Sequence, residues 1–265
     1  MKVHSCLITG ANSGIGLAIA EHYWQKGWTV AGVDLDQQGT AFSERCKRWA
    51  AQKRAHYYHA DVRDPIALGQ ICTDLTAKTR VPISIVFANA GVLAPSKEVD
   101  KGRVSTCEVM SINYFGVINT VNAALQHMDN NGFIVVSSSI SALSASQHSG
   151  TYAASKAAID RWTEEQILAQ NTLETGPTYV VARIGFVDTP MTKDLRHAQV
   201  LAISARAAAR RMAGKLRRGK HCVWVGRRSV MIFVLLDLIG LQHRMIAMNA
   251  AYKVKCWLDI RAAKQ

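Results

Sequence analysis

Residues 3–25 read VHSCLITGANSGIGLAIAEHYWQ, and this stretch decides the fold. Val3 to Thr9 is an apolar run that predicts a buried strand, and Ile15 to Gln25 places its apolar residues at helical spacing. Three glycines lie between them. Gly10 allows a tight turn out of the strand, Gly14 lets the backbone approach a pyrophosphate, and Gly16 lets the helix lie close to the sheet, with its N-terminus facing the phosphates. Asn12, Ser13 and Ile15 complete the turn. Glycines punctuate many ordinary loops, so the weight rests on their position between a strand and a helix, which points to a dinucleotide cradle.

Working outward, Thr29 to Asp34, Arg54 to Asp61, Ile83 to Ala88, Phe133 to Ser138, Thr178 to Ile184 and His221 to Val225 read as six further strands separated by helical stretches. Such alternation predicts an α/β fold: a single doubly wound domain whose parallel, seven-stranded sheet carries helices on both faces. With 265 residues, 49% of them apolar, the chain can bury a large core without disulfides or metal. Its six cysteines (6, 46, 72, 107, 222 and 256) show no metal or paired spacing and read as reduced packing thiols, so neither a disulfide nor a metal site is expected. The chain enters its first strand almost at once. With no room for a signal peptide, a cytoplasmic protein is expected.

The formal net charge is +13, and the excess is concentrated late. Between Leu195 and Leu236 there are ten Lys or Arg residues and no Asp or Glu. The segment ARAAARRMAGKLRRGK predicts a basic helix, whose field would attract phosphates, acidic lipids or acyl carboxylates. The alternative is a solvated face balanced by acids elsewhere.

The chemistry is carried by Ser139, Tyr152 and Lys156. Tyr152 and Lys156 share one helical face at i and i+4, and Ser139 precedes Tyr152 by thirteen residues at a strand end. Bringing a tyrosine from pKa about 10 to neutrality takes about three units, or about 4 kcal/mol, and an adjacent ammonium is expected to supply much of it. Tyr152 then exchanges a proton with a substrate oxygen that Ser139 holds. Asp34, ending the second strand, is placed to accept from two ribose hydroxyls and to repel a 2′-phosphate. NAD is therefore favoured over NADP, with Arg45, Lys47 or Arg48 the cations that would reverse this by folding toward the site.

In this combination the chain resembles the classical short-chain dehydrogenase/reductase family over roughly residues 3–195. Thr9 to Gly16 matches its glycine signature, Asp61 and Val62 its adenine-contacting pair, and Asn89, Ala90 and Gly91 its N-A-G turn. Asn113, Ser139, Tyr152 and Lys156 match its catalytic set. The resemblance implies a Rossmann-type catalytic domain over 1–229 and NAD(P)-dependent hydride transfer between an alcohol and a ketone or aldehyde. It also implies that Lys156 holds nicotinamide ribose hydroxyls, that Asn113 positions a relay water, and that Val187 and Thr189 orient the carboxamide, with Gly185 in the same cofactor-binding turn. Two departures stand out: Ile184 replaces the usual proline, and the C-terminus differs.

That C-terminus, residues 230–265, holds an apolar run from Val230 to Leu241 interrupted by Asp237, shorter than the roughly 20 residues a bilayer span needs. It reads as a helical extension packed on the domain or a partner, or as a peripheral membrane contact, with Tyr252 and Trp257 suited to an interface. Either suits an apolar, lipid-like substrate. A homodimer or homotetramer is expected through Gly102 to His127 and Thr151 to Gln170, and no nucleic-acid partner is expected. The substrate wall is expected from Ala90 to Lys97, Ile140 to Gly150 and Thr189 to about Ala209. The rival readings are an NADP-dependent carbonyl reductase and a catalytically silent NAD-binding regulator.

Overall fold

The computed structural model describes residues 4–35, 41–49, 54–93, 105–144, 149–173, 176–193, 201–217, 219–226, 230–231 and 234–235. Seven parallel strands form the central sheet, in the order β3-β2-β1-β4-β5-β6-β9. They are β1 (Ser5–Thr9), β2 (Thr29–Asp34), β3 (Ala55–His59), β4 (Ile83–Ala88), β5 (Met128–Ser139), β6 (Thr178–Ile184) and β9 (Cys222–Val225). The short β7 (Val187–Asp188) and β8 (Ile203–Ser204) pair beside it. The helices are α1 (Gly14–Gln25), α2 (Ala41–Trp49), α3 (Pro65–Thr79), α4 (Thr106–Met110), α5 (Gly116–Leu125), α6 (Gly150–Leu173) and α7 (Ala205–Lys215).

Strand residues alternate between two cores. Cys6, Ile8, Phe87, Val135, Val180 and Ala182 face α1, α2 and α7, against Ile19, Tyr23, Phe42 and Met212. Leu7, Val86, Ile134 and Val136 face α3, α5 and α6, against Leu68, Leu75, Val121 and Ile159. Because both faces are covered, the strands read as continuous apolar runs.

Strand order reverses between β1 and β4, and a crevice forms outside the strand ends where that happens. Local chemistry fixes the rest. Asp64 caps α3 by accepting from Ile66 and Ala67 N–H at 3.0 Å each, with Pro65 in the first turn. Ser105 caps α4 by accepting from Glu108 N–H at 3.0 Å. Ser204 does the same for α7 through Ala207 N–H at 3.2 Å.

Several boundaries differ from the sequence reading, β3 being shorter than Arg54 to Asp61 at both ends. β5 begins at Met128 instead of Phe133, because the polar Asp129 to Asn131 continue the extended backbone and Met128 pairs with Ile83 across a register shift. The helix expected from Gly102 starts at Thr106 within the described residues and is broken by a π-helical turn at Ser111–Phe115. The basic helix forms, as α7, but ends at Lys215. Of the 230–265 extension, only residues 230–231 and 234–235 fall within the described set.

Candidate active site

A cleft of about 280 Å³ opens along the carboxyl ends of β1, β2, β4, β5 and β6. Gly10, Ser13, Gly14 and Ile15 line it from the first turn, Asp34 and Leu35 from the end of β2, and Asp61 and Val62 from beyond β3. Asn89, Ala90 and Gly91 follow β4. Ser139, Tyr152 and Lys156 close the other end, with Gly185, Val187 and Thr189 alongside. Asn12, Gly16 and Asn113 do not line the cleft; they hold its walls from behind.

The turn after β1 is shaped by its backbone. Gly10 and Gly14 sit at φ 70° and 51°, conformations that side chains resist. A Cβ on Gly16 would lie 2.0 Å from the Gly10 carbonyl oxygen, so α1 meets the turn at a distance only glycine allows. Thr9 and Asn89 tie the strand ends together. The Asn89 N–H donates to Thr9 Oγ1 at 3.1 Å, Asn89 Nδ2 to the Thr9 carbonyl at 3.1 Å, and Ser137 Oγ to Asn89 Oδ1 at 3.1 Å.

Asp34 is partly exposed at the cleft edge. Its two oxygens accept from Asn12 N–H at 2.9 Å and Leu35 N–H at 2.8 Å, which fixes the carboxylate and leaves each oxygen a further lone pair. Two of the three nearby cations are engaged elsewhere, Arg45 with Glu21 and Lys47 with Glu44, and Arg48 is exposed and does not line the cleft. Asp61 lines the cleft and also pairs with Arg63. Arg63 donates to it through its main-chain N–H and Nε, both at 2.8 Å, and these bonds hold the carboxyl below the usual range. An adenine contact by Asp61 therefore has to share that carboxylate with Arg63.

At the opposite end Lys156 is 4% exposed, and its Nζ donates to the Ser137 carbonyl at 2.9 Å. Burial lowers it to about 8, with the negative charge of Asp160 opposing. The ammonium lies 5.8 Å from the Tyr152 ring centre. Ser139 Oγ accepts from Ser141 N–H at 3.1 Å, and Ser139 bonds to the Tyr152 hydroxyl, which favours the phenolate. Burial nevertheless raises Tyr152 above its ordinary value. A net depression of Tyr152 is thus absent in the protein alone: burial outweighs the Ser139 hydrogen bond that opposes it.

Asn113 is 0% exposed, and its side chain is committed. Oδ1 accepts from Val92 N–H at 2.8 Å, and Nδ2 donates to the Val92 carbonyl at 2.9 Å and to Ser155 Oγ at 3.1 Å. It therefore clamps the segment after Gly91 that forms one wall of the cleft.

Two features escaped the sequence reading. Thr192 lines the cleft and holds the Val187–Thr189 turn, accepting from Thr189 N–H at 3.2 Å and donating to the Val187 carbonyl at 2.5 Å. Beneath Lys156, Asp160 is 2% exposed and accepts from Arg183 Nε at 2.8 Å; Arg183 also reaches Glu164 at 3.1 Å. Among the described residues, Oδ1 of Asp160 has no hydrogen-bond partner. An arginine inside an otherwise apolar strand was the available signal. Ile184, in the usual proline position, pairs in register with Ser139 and Val225 and lines the cleft.

The family model for short chain dehydrogenase matches residues 4–200. The chain belongs to the short-chain dehydrogenase family. An uncharacterized oxidoreductase of Staphylococcus saprophyticus is 33% identical over 194 residues, covering 71% of this chain and 80% of the relative. A short-chain dehydrogenase/reductase from Burkholderia phymatum, solved in complex with NAD, superposes with TM-score 0.77 at 19% identity over 88% of this chain and 92% of that one. Another short-chain dehydrogenase, from Burkholderia cenocepacia J2315 in complex with NADP, gives TM-score 0.72 at 24% identity over 84% and 96%. The protein is an oxidoreductase of this family by sequence, and the solved neighbours confirm the fold.

Proposed function

We propose that this short-chain dehydrogenase interconverts an apolar alcohol and its ketone or aldehyde, with NAD as the preferred dinucleotide. The observation that carries the reading is one cleft presenting Asp34 at one end and Ser139, Tyr152 and Lys156 at the other. A dinucleotide fits the residues present: the glycine turn leaves no room for side chains, and α1 points its N-terminus at the turn. Gly14 and Ile15 would hold the pyrophosphate, Asp34 the adenosine ribose, and Lys156 the nicotinamide ribose. When bound, the nicotinamide supplies or accepts the hydride.

The chain's own residues manage the proton. Ser139 Oγ accepts from Ser141 N–H and bonds to the Tyr152 hydroxyl, so its single hydroxyl hydrogen would turn from Tyr152 to the substrate oxygen that enters beside them. Tyr152 exchanges the proton at that same oxygen. Lys156, in its charged form, supports the phenolate, and Asp160 supports the charge of Lys156.

Support for NAD comes from Asp34, which would repel a 2′-phosphate, and from Lys156 being the only Lys or Arg among the described residues that line the cleft. Support for an apolar substrate comes from Val92, Ile112, Ile184, Pro190 and Met191 near the catalytic end. We also assign self-association to the α5–α6 side, where Phe115 and Leu168 are 55% and 69% exposed.

The test is the initial rate of NADH or NADPH formation over a ladder of alcohols from short aliphatic to long-chain and steroid. The reading expects higher turnover with NAD, rising with apolar size. Turnover confined to NADP would overturn the cofactor assignment. Binding of NAD with no turnover of any alcohol, or of the corresponding carbonyls in reverse, would favour a regulator.

A further inference from the structure

Outside the cleft, the outer face of α7 is strongly charged. Arg206, Arg210, Arg211 and Lys215 are exposed, while Ala208, Ala209 and Met212 on the opposite side are buried in the core shared with α1. Arg217 and Lys220 extend the exposed cations toward β9. Lys26, at the end of α1, joins them, since Lys26 and Arg210 both disfavour protonation of His22. Among the described residues, none of these cations has a carboxylate within ion-pair distance. A charge run is ordinarily a solvated face balanced by acids, and among the described residues no acid pairs with this one.

A second feature adjoins it. β9 ends at Val225, and Val230 N–H donates to the Gly226 carbonyl at 3.0 Å as the chain becomes helical again. Val230 is 7% exposed, but Met231 and Leu235, both helical, are 56% and 60% exposed. β9 is a parallel member of the sheet, so this turn leaves from the rim on which the cleft opens. The ribbon of β7 and β8 leads from the cleft wall at Val187 directly into α7.

We propose that this edge of the molecule, the cationic face of α7 with the exposed side chains of Met231 and Leu235, binds the surface of an anionic lipid bilayer. Unpaired cations draw the protein to the surface, and adjacent exposed apolar side chains enter the headgroup boundary. Two other occupants fit less well. A second copy related by a two-fold axis through α7 would bring like charges together. A nucleic acid would meet no aromatic side chain on α7 for base stacking. Docked this way, the cleft rim sits near the membrane, where an apolar alcohol concentrates; that consequence rests on the proposed function, whereas the binding itself does not.

The experiment is co-sedimentation of the full chain with phosphatidylcholine vesicles, with and without phosphatidylglycerol. Each cation near an anionic surface is worth about fivefold in affinity, so the expected result is binding to the anionic vesicles at least about tenfold tighter than to neutral ones, lost in high salt. Arg206→Glu/Arg210→Glu/Lys215→Glu, with unchanged circular dichroism and NAD affinity, is expected to abolish it. Met231→Ser/Leu235→Ser, which leaves the charges in place and faces solvent, is expected to weaken it about tenfold. Wild-type binding by the charge-reversed variant, or no preference for anionic vesicles, would overturn the proposal. So would tighter binding to duplex DNA than to the anionic vesicles at equal salt, or charge reversal changing the sedimentation coefficient of the free protein and not its vesicle binding. Turnover of a water-soluble alcohol is read separately, so failure of the dehydrogenase reading would leave this result standing.

Discussion

At the β2 end of the cleft a carboxylate sits partly exposed, with both oxygens held by main-chain N–H groups. At the β5–α6 end an ammonium is 4% exposed, anchored on one carbonyl and backed by a buried carboxylate with an oxygen unpartnered among the described residues. Both ends lie on the rim of the same sheet. The first satisfies its charge and leaves it where water can reach it; the second confines charge where burial works against it. The difference separates recognition from catalysis. A group that only binds can rest in a comfortable environment, whereas one that moves a proton near neutral pH has to be destabilised in one of its forms.

The largest effect should come from removing the proton carrier. Tyr152→Phe is expected to lower kcat/KM by about a thousandfold while changing NAD affinity by less than about threefold. Steady-state kinetics with fluorescence titration of NAD checks both, and equal losses would place Tyr152 in recognition. At the other end Gly16→Ala brings a Cβ within 2.0 Å of the Gly10 carbonyl oxygen. It is expected to destabilise the fold by about 3 kcal/mol and to abolish dinucleotide binding, measured by urea unfolding and titration.

Lys156 offers a test of opposite sign. Its folded value, about 8, lies below the ordinary 10.5 of the unfolded chain, so between those values the unfolded state binds more protons. Stability from this group therefore rises with pH across that window and is least below about 8. Lys156→Met should abolish turnover and yet stabilise the protein at pH 7 by up to about 3 kcal/mol, a gain that shrinks as the pH rises toward 10.5. Denaturation at several pH values checks this, and a uniform loss of stability would show that the lysine is not held under strain.

Smaller effects follow at the binding end and beyond it. Asp34→Asn should narrow the NAD over NADP preference by about tenfold in kcat/KM, without altering the pH profile. Gly69, inside α3 with open space where a Cβ would stand, is a control outside the cleft. Gly69→Ala should stabilise by about 0.5–1 kcal/mol in thermal unfolding and leave turnover unchanged.

The same contrast governs how much could be read from the sequence. Thr29–Asp34, Ile83–Ala88 and Thr178–Ile184 coincide with β2, β4 and β6, because buried parallel strands are bounded apolar runs. The glycine turn and the Ser139, Tyr152 and Lys156 spacing were legible because their chemistry depends on local offsets. The clamp of Asn113 on Val92, 21 residues away, was not, since it depends on a π-helical turn with no composition of its own. Lys156 and Asp160 are visibly one turn apart, but the Asp160–Arg183 pair, 23 residues apart, needs the packing of α6 on β6. Tyr152 follows the same rule: spacing reveals the Lys156 charge one turn away and conceals the burial that raises the phenol in the protein alone.

The central claim is that this cleft transfers a hydride while Tyr152 moves the proton. The most direct measurement is transfer of deuterium from a carbinol-deuterated apolar secondary alcohol into NADH, followed by mass spectrometry, in the wild type and in Tyr152→Phe. The account predicts deuterated NADH from the wild type and about a thousandfold slower formation in the variant. Deuterium transfer at equal rates in both proteins, or NAD binding with no transfer from any alcohol in the ladder, would contradict it.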